Sequence, residues 1–289
     1  MTPLLAALIS VLIWPGTPPG SSRTTHEPES RGTVPKLVAG KPWTYVANVS
    51  RPTLTVYPPK GNNSGVAVIV FPGGGYQVLA IDLEGTEVCD WLTSKGMTCV
   101  LLEYRVPHTG PSWDQQCGCY RDTHSSMALE DAQRTIGLVR LHAKEWHIDP
   151  HKVGVLGFSA GGHLAAAVST HFDRRVYPIV DAADRESCRP DFAVALYPGH
   201  LWIQSRLNPR IRVTRNTPPT FLVQAEDDDV DDVRNSLVYF AALKKAGVPA
   251  ELHVYPEGGH AFGLRPTNHP ITRWPALVEA WLQTIGMTH

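Results

Sequence analysis

VGVLGFSAGGHLAAA, residues 153–167, is an apolar run that turns through a G-x-S-x-G motif into a run of small residues. Val153–Gly157 has the length and composition of a buried strand, and the run after Ser159 is typical of a helix. Glycines two positions on either side of Ser159 remove the side chains that would clash at such a sharp corner. The hydroxyl of Ser159 is then exposed at a helix N-terminus, where the N–H groups and the helix dipole favour negative charge. An acyl-transfer nucleophile needs such a position, although a serine that only caps a helix is found there too.

A glycine-rich loop, Gly73-Gly74-Gly75, directly follows the apolar run Val66–Phe71, which is typical of a buried strand. Successive glycines let the backbone turn its N–H groups towards a pocket, because no Cβ atoms stand in the way. Together with the N–H of Ala160, this loop predicts an oxyanion hole, in which each donor is worth on the order of 10²–10³ in rate. A plain turn or a phosphate-binding loop is the alternative, but the spacings of the known phosphate loops are absent.

Two downstream segments carry candidate partners for the serine. Leu222–Asp232 reads LVQAEDDDVDD, a strand that ends in a cluster of acids. A carboxylate from this cluster can orient a histidine and stabilise its imidazolium form, whereas a solvated loop or a cation site is the alternative. His260 lies between small residues in YPEGGHAFG, just after a predicted strand. The chain order serine, acid, histidine is that of the hydrolytic triad on a strand–turn–helix scaffold.

Strand and helix patterns alternate along the rest of the chain, which predicts one α/β domain: a mostly parallel central sheet with helices on both faces. Roughly 20 residues, His200–Pro219, separate two predicted strands, so we expect no large cap domain. The further predicted strands are Leu54–Tyr57, Thr98–Leu102, Phe192–Leu196, Thr220–Val223 and Glu251–Tyr255. Apolar stripes at helical spacing lie within 128–143, 233–241 and 277–285.

Composition excludes some classes of partner. The 289 residues carry a formal net charge of −1 and no basic stripe, so nucleic acid and anionic membrane surfaces are not expected as partners. Cys117-Gly118-Cys119 lies between His108 and His124, but C-x-C with scattered histidines is a poor match to metal-site spacings. We therefore expect no metal and no cofactor. The oligomeric state is not predicted.

The N-terminus has two parts with different compositions. Leu4–Trp14, LLAALISVLIW, is too short to span a bilayer but has the length of a signal-peptide core, and Pro15–Pro35 has the composition of a disordered spacer. We predict a signal peptide and spacer over 1–35, a catalytic domain over 36–289, and export to the periplasm or the medium. The start Met1-Thr2-Pro3 lacks the usual lysine or arginine, and a membrane-peripheral N-terminus is the alternative. No membrane span is expected in the mature protein.

The five cysteines make an odd number, so at least one thiol stays unpaired unless chains cross-link. In an exported protein, Cys117 or Cys119 is a candidate partner of Cys188, and Cys89 is a candidate partner of Cys99.

From about Leu54 to the C-terminus, the chain resembles α/β-hydrolases of the acetyl esterase/carbohydrate (xylan) esterase group, which is related to the bacterial hormone-sensitive-lipase-like esterases. The resemblance is carried by FPGGGY, LEYRVP, GFSAGGHLAA and the stretch from NSLVYF to GGHAFGL. It implies a serine esterase that hydrolyses short acyl esters, in particular acetyl esters on carbohydrate, through an acyl-enzyme. A peptidase or lactone hydrolase on the same fold, or a non-catalytic binding protein, is the alternative.

The same resemblance implies that Ser159 is the nucleophile, Asp228 the acid and His260 the base of a catalytic triad. It also implies that Gly74, Gly75 and Ala160 are the oxyanion donors. Two departures accompany it. Pro72 stands where many relatives have a histidine, and the run of acids leaves Asp227 and Asp229 open as alternatives to Asp228. The substrate is then expected to be a small-molecule or carbohydrate ester.

Overall fold

The computed structural model describes residues 8–20, 27–106, 113–114, 119–120 and 125–288, with side chains left undescribed at 113–114, 119–120 and 125. The strands are β1 Ile9–Leu12, β2 Ser30–Val38, β3 Lys41–Ala47, β4 Thr53–Tyr57, β5 Ala67–Phe71, β6 Val78–Ala80, β7 Thr98–Glu103, β8 Trp113–Asp114, β9 Cys119–Tyr120, β10 Val153–Phe158, β11 Ala193–Leu196, β12 Trp202–Ile203, β13 Arg206–Leu207, β14 Thr220–Ala225 and β15 Ala250–Tyr255. The helices are α1 Glu87–Ser94, α2 Ser125–Leu141, α3 Ala160–Thr170, α4 Arg234–Lys245 and α5 Trp274–Thr284. Shorter helical turns span Asp82–Thr86, Ala182–Arg185 and Pro270–Arg273.

An eight-stranded sheet in the order β1-β4-β7-β5-β10-β11-β14-β15 forms the centre of the fold. In this sheet, the six neighbouring strands β7, β5, β10, β11, β14 and β15 pair in parallel. Strand β4 pairs with β7, and β1 with β4, in antiparallel fashion. Every residue of β5, β10 and β14 is buried, as expected for strands that helices cover on both faces. The predicted α/β architecture with a mostly parallel sheet is therefore confirmed.

The helices pack in pairs against this sheet. Helix α3 contacts β10 and β11 and also packs against α2. Helices α1 and α5 meet through Trp91 and Trp274, whose ring centroids are 5.2 Å apart, and α4 contacts β14 and β15. Between β11 and β14 the chain forms a hairpin, β12–β13, and no helix, so the cleft above β10 carries no large cap there.

The described part of the N-terminal segment packs on the fold, over residues where the sequence predicts a signal peptide and a disordered spacer. Strand β1 pairs with β4, so β4 is not the edge strand. Ile13 and Trp14 are only 1% and 4% exposed. Arg134 Nε donates to the carbonyl oxygen of Ile13 at 2.9 Å. A short apolar run can complete a sheet edge as readily as it can form a signal-peptide core, and its composition does not distinguish the two.

The expected spacer also contributes structure. Strand β2 pairs with β3, and β3 pairs with β6, in a three-stranded antiparallel sheet. Residues 30–35 therefore belong to the folded unit, and the predicted boundary at residue 36 cuts through a strand. Cleavage and export themselves stay predictions.

A disulfide joins Cys89 of α1 to Cys99 of β7, as in one of the two pairings that the sequence left open. Cys188 is a buried free thiol whose Sγ donates to the carbonyl oxygen of Phe172 at 3.4 Å. Residues 108, 117 and 124 of the weighed metal site, and the Cys119 side chain, lie outside the described residues. In the part of the chain that the structure describes, no helix is both long and apolar enough to cross a membrane.

Candidate active site

Ser159 occupies a strained turn between β10 and α3, with φ 52° and ψ −117°. A Cβ added at Gly157 would lie 1.9 Å from the carbonyl oxygen of Gly161, and one at Gly161 would lie 2.0 Å from that of Phe71. The two glycines of the motif are therefore required by close backbone approach. A positive φ in a residue with a side chain is costly and persists only where the surrounding structure imposes it. The turn holds the serine at the end of a buried strand, 8% exposed.

His260 is held by Asp228. Its Nδ1 lies 2.9 Å and 3.0 Å from the two carboxylate oxygens of Asp228, whose side chain is fully buried. The same carboxylate accepts the backbone N–H groups of Val230 and Asp231. Since a carboxylate accepts, Nδ1 carries the proton, and Nε2 is left to face the cleft. The ring of Tyr197 packs edge-on against the imidazole at 4.9 Å and fixes its plane.

Asp231 stands between the serine and the histidine. The Ser159 hydroxyl donates to Asp231 Oδ2 at 3.1 Å, and the same oxygen lies 3.8 Å from His260 Nε2. Gly199 permits this approach, because a Cβ there would lie 2.4 Å from Asp231 Oδ1. Sequence reasoning missed this residue, since nothing in the run DDDVDD distinguishes it from its solvated neighbours.

The glycine loop supplies backbone donors next to Ser159. Gly73 N–H donates to Glu84 Oε2 at 2.7 Å. Gly74 and Gly75 have φ of 131° and 63°, and a Cβ at Gly74 would lie 2.2 Å from the carbonyl oxygen of Val78. Within the described residues, the N–H groups of Gly74, Gly75 and Ala160 make no hydrogen bond, the last because it opens a helix.

Glu84 is a buried carboxylate that ties the glycine loop to the histidine side of the cleft. It accepts from Gly73 N–H and, at 2.8 Å, from the hydroxyl of Tyr197. The Tyr197 oxygen in turn accepts from Gly263 N–H at 3.2 Å. Burial raises the pKa of Glu84, although the Tyr197 hydrogen bond opposes the rise. This network was not foreseen, because a single glutamate in a sequence gives no sign of burial.

Two further titratable groups at the cleft, His260 and Asp231, have shifted pKa values. Burial alone would lower the pKa of His260, but the hydrogen bond to Asp228 and the charges of Asp231, Asp228 and Glu84 outweigh it and raise that pKa. Burial raises the pKa of Asp231, against the opposing charges of His200 and His260. The Asp231 carboxylate and the His260 imidazolium attract each other, so each group favours ionisation of the other.

These groups surround a cleft with a cavity volume of about 280 Å³. None of its described lining residues is a lysine or an arginine. The lining consists of Trp43, Gly74, Gly75, Gln77, Ala80, Leu83, Glu84, Ser159, His200, Val230, Asp231, His260 and Ala261. Trp43 comes from β3, so the N-terminal sheet forms part of the cleft wall.

The structure thus brings the predicted residues to one place with one difference: Ser159 contacts Asp231 rather than His260. Of the alternative acids, Asp227 accepts the N–H of Gly259 and Asp229 is exposed; neither contacts His260. Tyr76, directly after the glycine loop, is buried, and its hydroxyl is hydrogen-bonded to His163. The side chains of Trp113 and Tyr120 lie outside the described residues.

Known proteins resemble this chain in sequence. A sequence profile of the alpha/beta hydrolase fold matches residues 122–264. The acetylxylan esterase of Xylanibacter ruminicola is 31% identical over 227 residues, which cover 70% of this chain and 42% of that protein. The ethyl acetate hydrolase of Pseudomonas putida is 25% identical over 230 residues, which cover 69% of this chain and 66% of that protein. The chain spans less than half of that acetylxylan esterase and a third of the endo-1,4-beta-xylanase B of Butyrivibrio fibrisolvens.

A solved structure extends the similarity over more of the chain. The acetyl ester-xyloside bifunctional hydrolase from Caldicellulosiruptor lactoaceticus superposes with a TM-score of 0.70 at 38% identity. The match covers 84% of this chain and 91% of that one.

Proposed function

The chain belongs to the α/β-hydrolase family, and we propose that it is a serine carboxylic ester hydrolase that removes short acyl groups, acetyl above all, from carbohydrate. One observation carries the proposal: a serine on a strained turn, a histidine hydrogen-bonded to a buried carboxylate, and the glycine loop all line one cleft. Relatives named acetylxylan esterase and ethyl acetate hydrolase support the choice of acetyl esters.

In the proposed acylation step, Ser159 Oγ attacks the carbonyl carbon of the ester while His260 Nε2 takes the hydroxyl proton. Asp228 keeps the imidazole in the required tautomer and stabilises the imidazolium that forms. The proton then passes to the departing alcohol oxygen as the ester C–O bond breaks, which leaves an acyl-enzyme. Water attacks this acyl-enzyme in the same way and releases the carboxylic acid, and the serine is restored.

The tetrahedral intermediate of each half-reaction carries its negative charge on the former carbonyl oxygen. We assign the N–H groups of Gly74, Gly75 and Ala160 to that oxygen. Gly73 does not join them, because its N–H is committed to Glu84. Backbone donors that the fold holds in place act without reorganisation, and each is worth on the order of 10²–10³ in rate.

The expected preference for short acyl groups rests on the connection between β11 and β14 and on the size of the cavity. The β11–β14 connection places no cap over the cleft, and the cavity of about 280 Å³ is small. Each acyl CH₂ that stays in water forgoes about 0.8 kcal/mol of binding. Trp43, half-buried at the cleft, offers a flat face for the alcohol part of a sugar ester, and Gln77 offers a polar group.

We also propose that the protein works in an oxidising compartment, periplasmic or extracellular. The Cys89–Cys99 disulfide supports this, since such bonds persist mainly outside the cytosol. A leader cleaved after Trp14 would remove β1 from the sheet. The support for export therefore comes from the disulfide and not from the apolar run Leu4–Trp14.

Labelling with a fluorophosphonate tests the proposed function directly, because this probe reacts only with an activated serine. We expect the purified protein to be labelled at Ser159, to release acetate from acetylated xylan, and to hydrolyse p-nitrophenyl acetate faster than p-nitrophenyl octanoate. Folded protein that resists the probe would favour a non-catalytic binding protein. Faster cleavage of a peptide or a lactone than of any acetyl ester would favour the other enzymes of this fold.

A further inference from the structure

The resting contact of Ser159 is unusual for a nucleophile. A serine is activated when its hydroxyl donates to the imidazole of the base, yet here it donates to Asp231 Oδ2, at 3.1 Å. His260 Nε2 lies 3.8 Å from the same oxygen, so one carboxylate oxygen faces both reacting side chains. Attack requires the hydroxyl to leave Asp231 and turn to His260.

Backbone hydrogen bonds and close packing fix the position of Asp231. Its backbone N–H donates to Asp228, its carbonyl oxygen accepts from Gln224, and its side chain is 15% exposed and lies over the glycine at 199. The side chain lines the cleft that substrate must enter. A carboxylate accepts hydrogen bonds but cannot donate them, and one left without a donor in a partly buried site is costly. A donor must therefore replace Ser159 when the serine turns away.

We propose that Asp231 is a specificity-determining residue that accepts a hydrogen bond from a hydroxyl group on the alcohol part of the ester and thereby releases Ser159 to His260. This inference rests on the proposed esterase function and deepens it, because it names the substrate class. The preferred substrate is the acyl ester of a polyol or sugar with a free hydroxyl beside the esterified one.

Substrate binding replaces the hydrogen bond that Ser159 donates to Asp231, so the carboxylate keeps a donor. Before binding, Ser159 donates to Asp231; afterwards the substrate hydroxyl donates to Asp231 and Ser159 donates to His260 Nε2. An ester of a plain alcohol brings no donor, so the serine that turns to His260 leaves the Asp231 carboxylate without the hydrogen bond that it accepted. Hydrogen bonds to charged groups are worth about 1.5–3 kcal/mol, which corresponds to about 10-fold or more in kcat/KM.

The test compares two acetyl esters of equal heavy-atom count, 2-hydroxyethyl acetate and propyl acetate, by acetate release in a pH-stat. It uses the full chain, the variants Asp231→Val and Asp231→Asn, and the control Asp229→Asn, which removes an exposed carboxylate from the same loop. We expect the wild type to favour 2-hydroxyethyl acetate by about 10-fold or more over its hydroxyl-free match. In D231V, kcat/KM should fall for the hydroxyl ester and rise for propyl acetate, so that the preference disappears.

Opposite changes on two substrates cannot come from a damaged fold, which would lower both. The neutral amide of D231N should give an intermediate preference, and D229N should keep that of the wild type. A preference that stays the same in folded D231V and D231N, or equal losses on both esters in both variants, would overturn the inference while fluorophosphonate labelling of Ser159 stands. Failure of the wild type to label would overturn the proposed function and this inference with it.

Discussion

The indole Nε1 of Trp14 donates a 2.8 Å hydrogen bond to Asp131 Oδ1, 117 positions away in the sequence. Asp131 is fully buried and also accepts hydrogen bonds from the guanidinium group of Arg105. The bond therefore ties the N-terminal segment to the buried ion pair that Asp131 of α2 forms with Arg105. The end of the apolar run Leu4–Trp14, which has the length of a signal-peptide core, therefore packs into the hydrophobic core of the folded protein.

Trp14→Ala should destabilise the protein by about 3–5 kcal/mol, the usual cost of removing a buried tryptophan. It also removes a hydrogen bond to a buried carboxylate. Urea unfolding of the purified protein measures the loss, and Leu12→Ala is the control, because Leu12 is 48% exposed in the same segment. Equal stability of W14A and the wild type would mean that residues 8–20 do not pack on the core in solution.

Asp228→Asn should lower kcat by up to ~10⁴, because an amide favours the wrong tautomer of His260. The effect should fall on kcat more than on KM for p-nitrophenyl acetate. Asp227→Asn and Asp229→Asn are matched controls, since neither carboxylate contacts His260. If one of these controls lost the activity and D228N kept it, the acid would be misassigned.

The pH dependence of kcat/KM should report the raised pKa of His260. A raised pKa means that the imidazole keeps its proton to a higher pH, and only the neutral form can take the proton of Ser159. Activity should therefore increase with pH through a midpoint above the ordinary histidine value of about 6.5.

The groups that face His260 are Asp228, Asp231, Glu84 and the ring of Tyr197. Asp231→Asn removes one of the negative charges that raise the pKa, so the midpoint should move to lower pH. The profile is measured with p-nitrophenyl acetate below saturation, with D229N as the control. A midpoint below the ordinary histidine value, or an upward shift in D231N, would contradict the electrostatic picture of the site.

Gly74→Ala should lower activity far more than Gly75→Ala. A Cβ at Gly74 would lie 2.2 Å from the carbonyl oxygen of Val78, whereas a Cβ at Gly75 has no atom within 4 Å. Both glycines have positive φ, so both variants bear some backbone strain, and only G74A must also displace the loop. We expect a loss on the order of 10² or more in kcat for G74A, the size expected when one oxyanion donor is lost. Similar kcat values for the two folded variants would remove the proposed oxyanion role of the loop.

Local chemistry explains which parts of this molecule were predictable. Continuous apolar runs such as Val66–Phe71 and Val153–Gly157 indicate buried parallel strands, because only strands covered on both faces tolerate them. The G-x-S-x-G turn and the acid–histidine order depend on short-range geometry, so they could be placed from sequence. Their catalytic roles stay predictions until they are measured.

Long-range packing explains what was not predictable. Ile9–Leu12 lies within an apolar run that resembles a signal-peptide core. It forms an edge strand only because β4 has unpaired backbone groups with which it can pair. Asp231 is one carboxylate among several in a run, and its contact with Ser159 depends on the glycine at 199 and on the fold of the loop. Such relationships lie in the tertiary structure and leave no periodic pattern in the sequence.

Trapping the acyl-enzyme shows whether Ser159 is the nucleophile. The full chain is mixed with excess p-nitrophenyl acetate, quenched in acid within the first turnovers, digested and mapped by mass spectrometry. We predict one acetyl group on the peptide that carries Ser159, in amounts that match the burst of p-nitrophenol, and neither acetyl group nor burst in Ser159→Ala. An acetyl group on another residue, or undiminished acetate release by folded S159A, would contradict the assignment of Ser159 as the nucleophile.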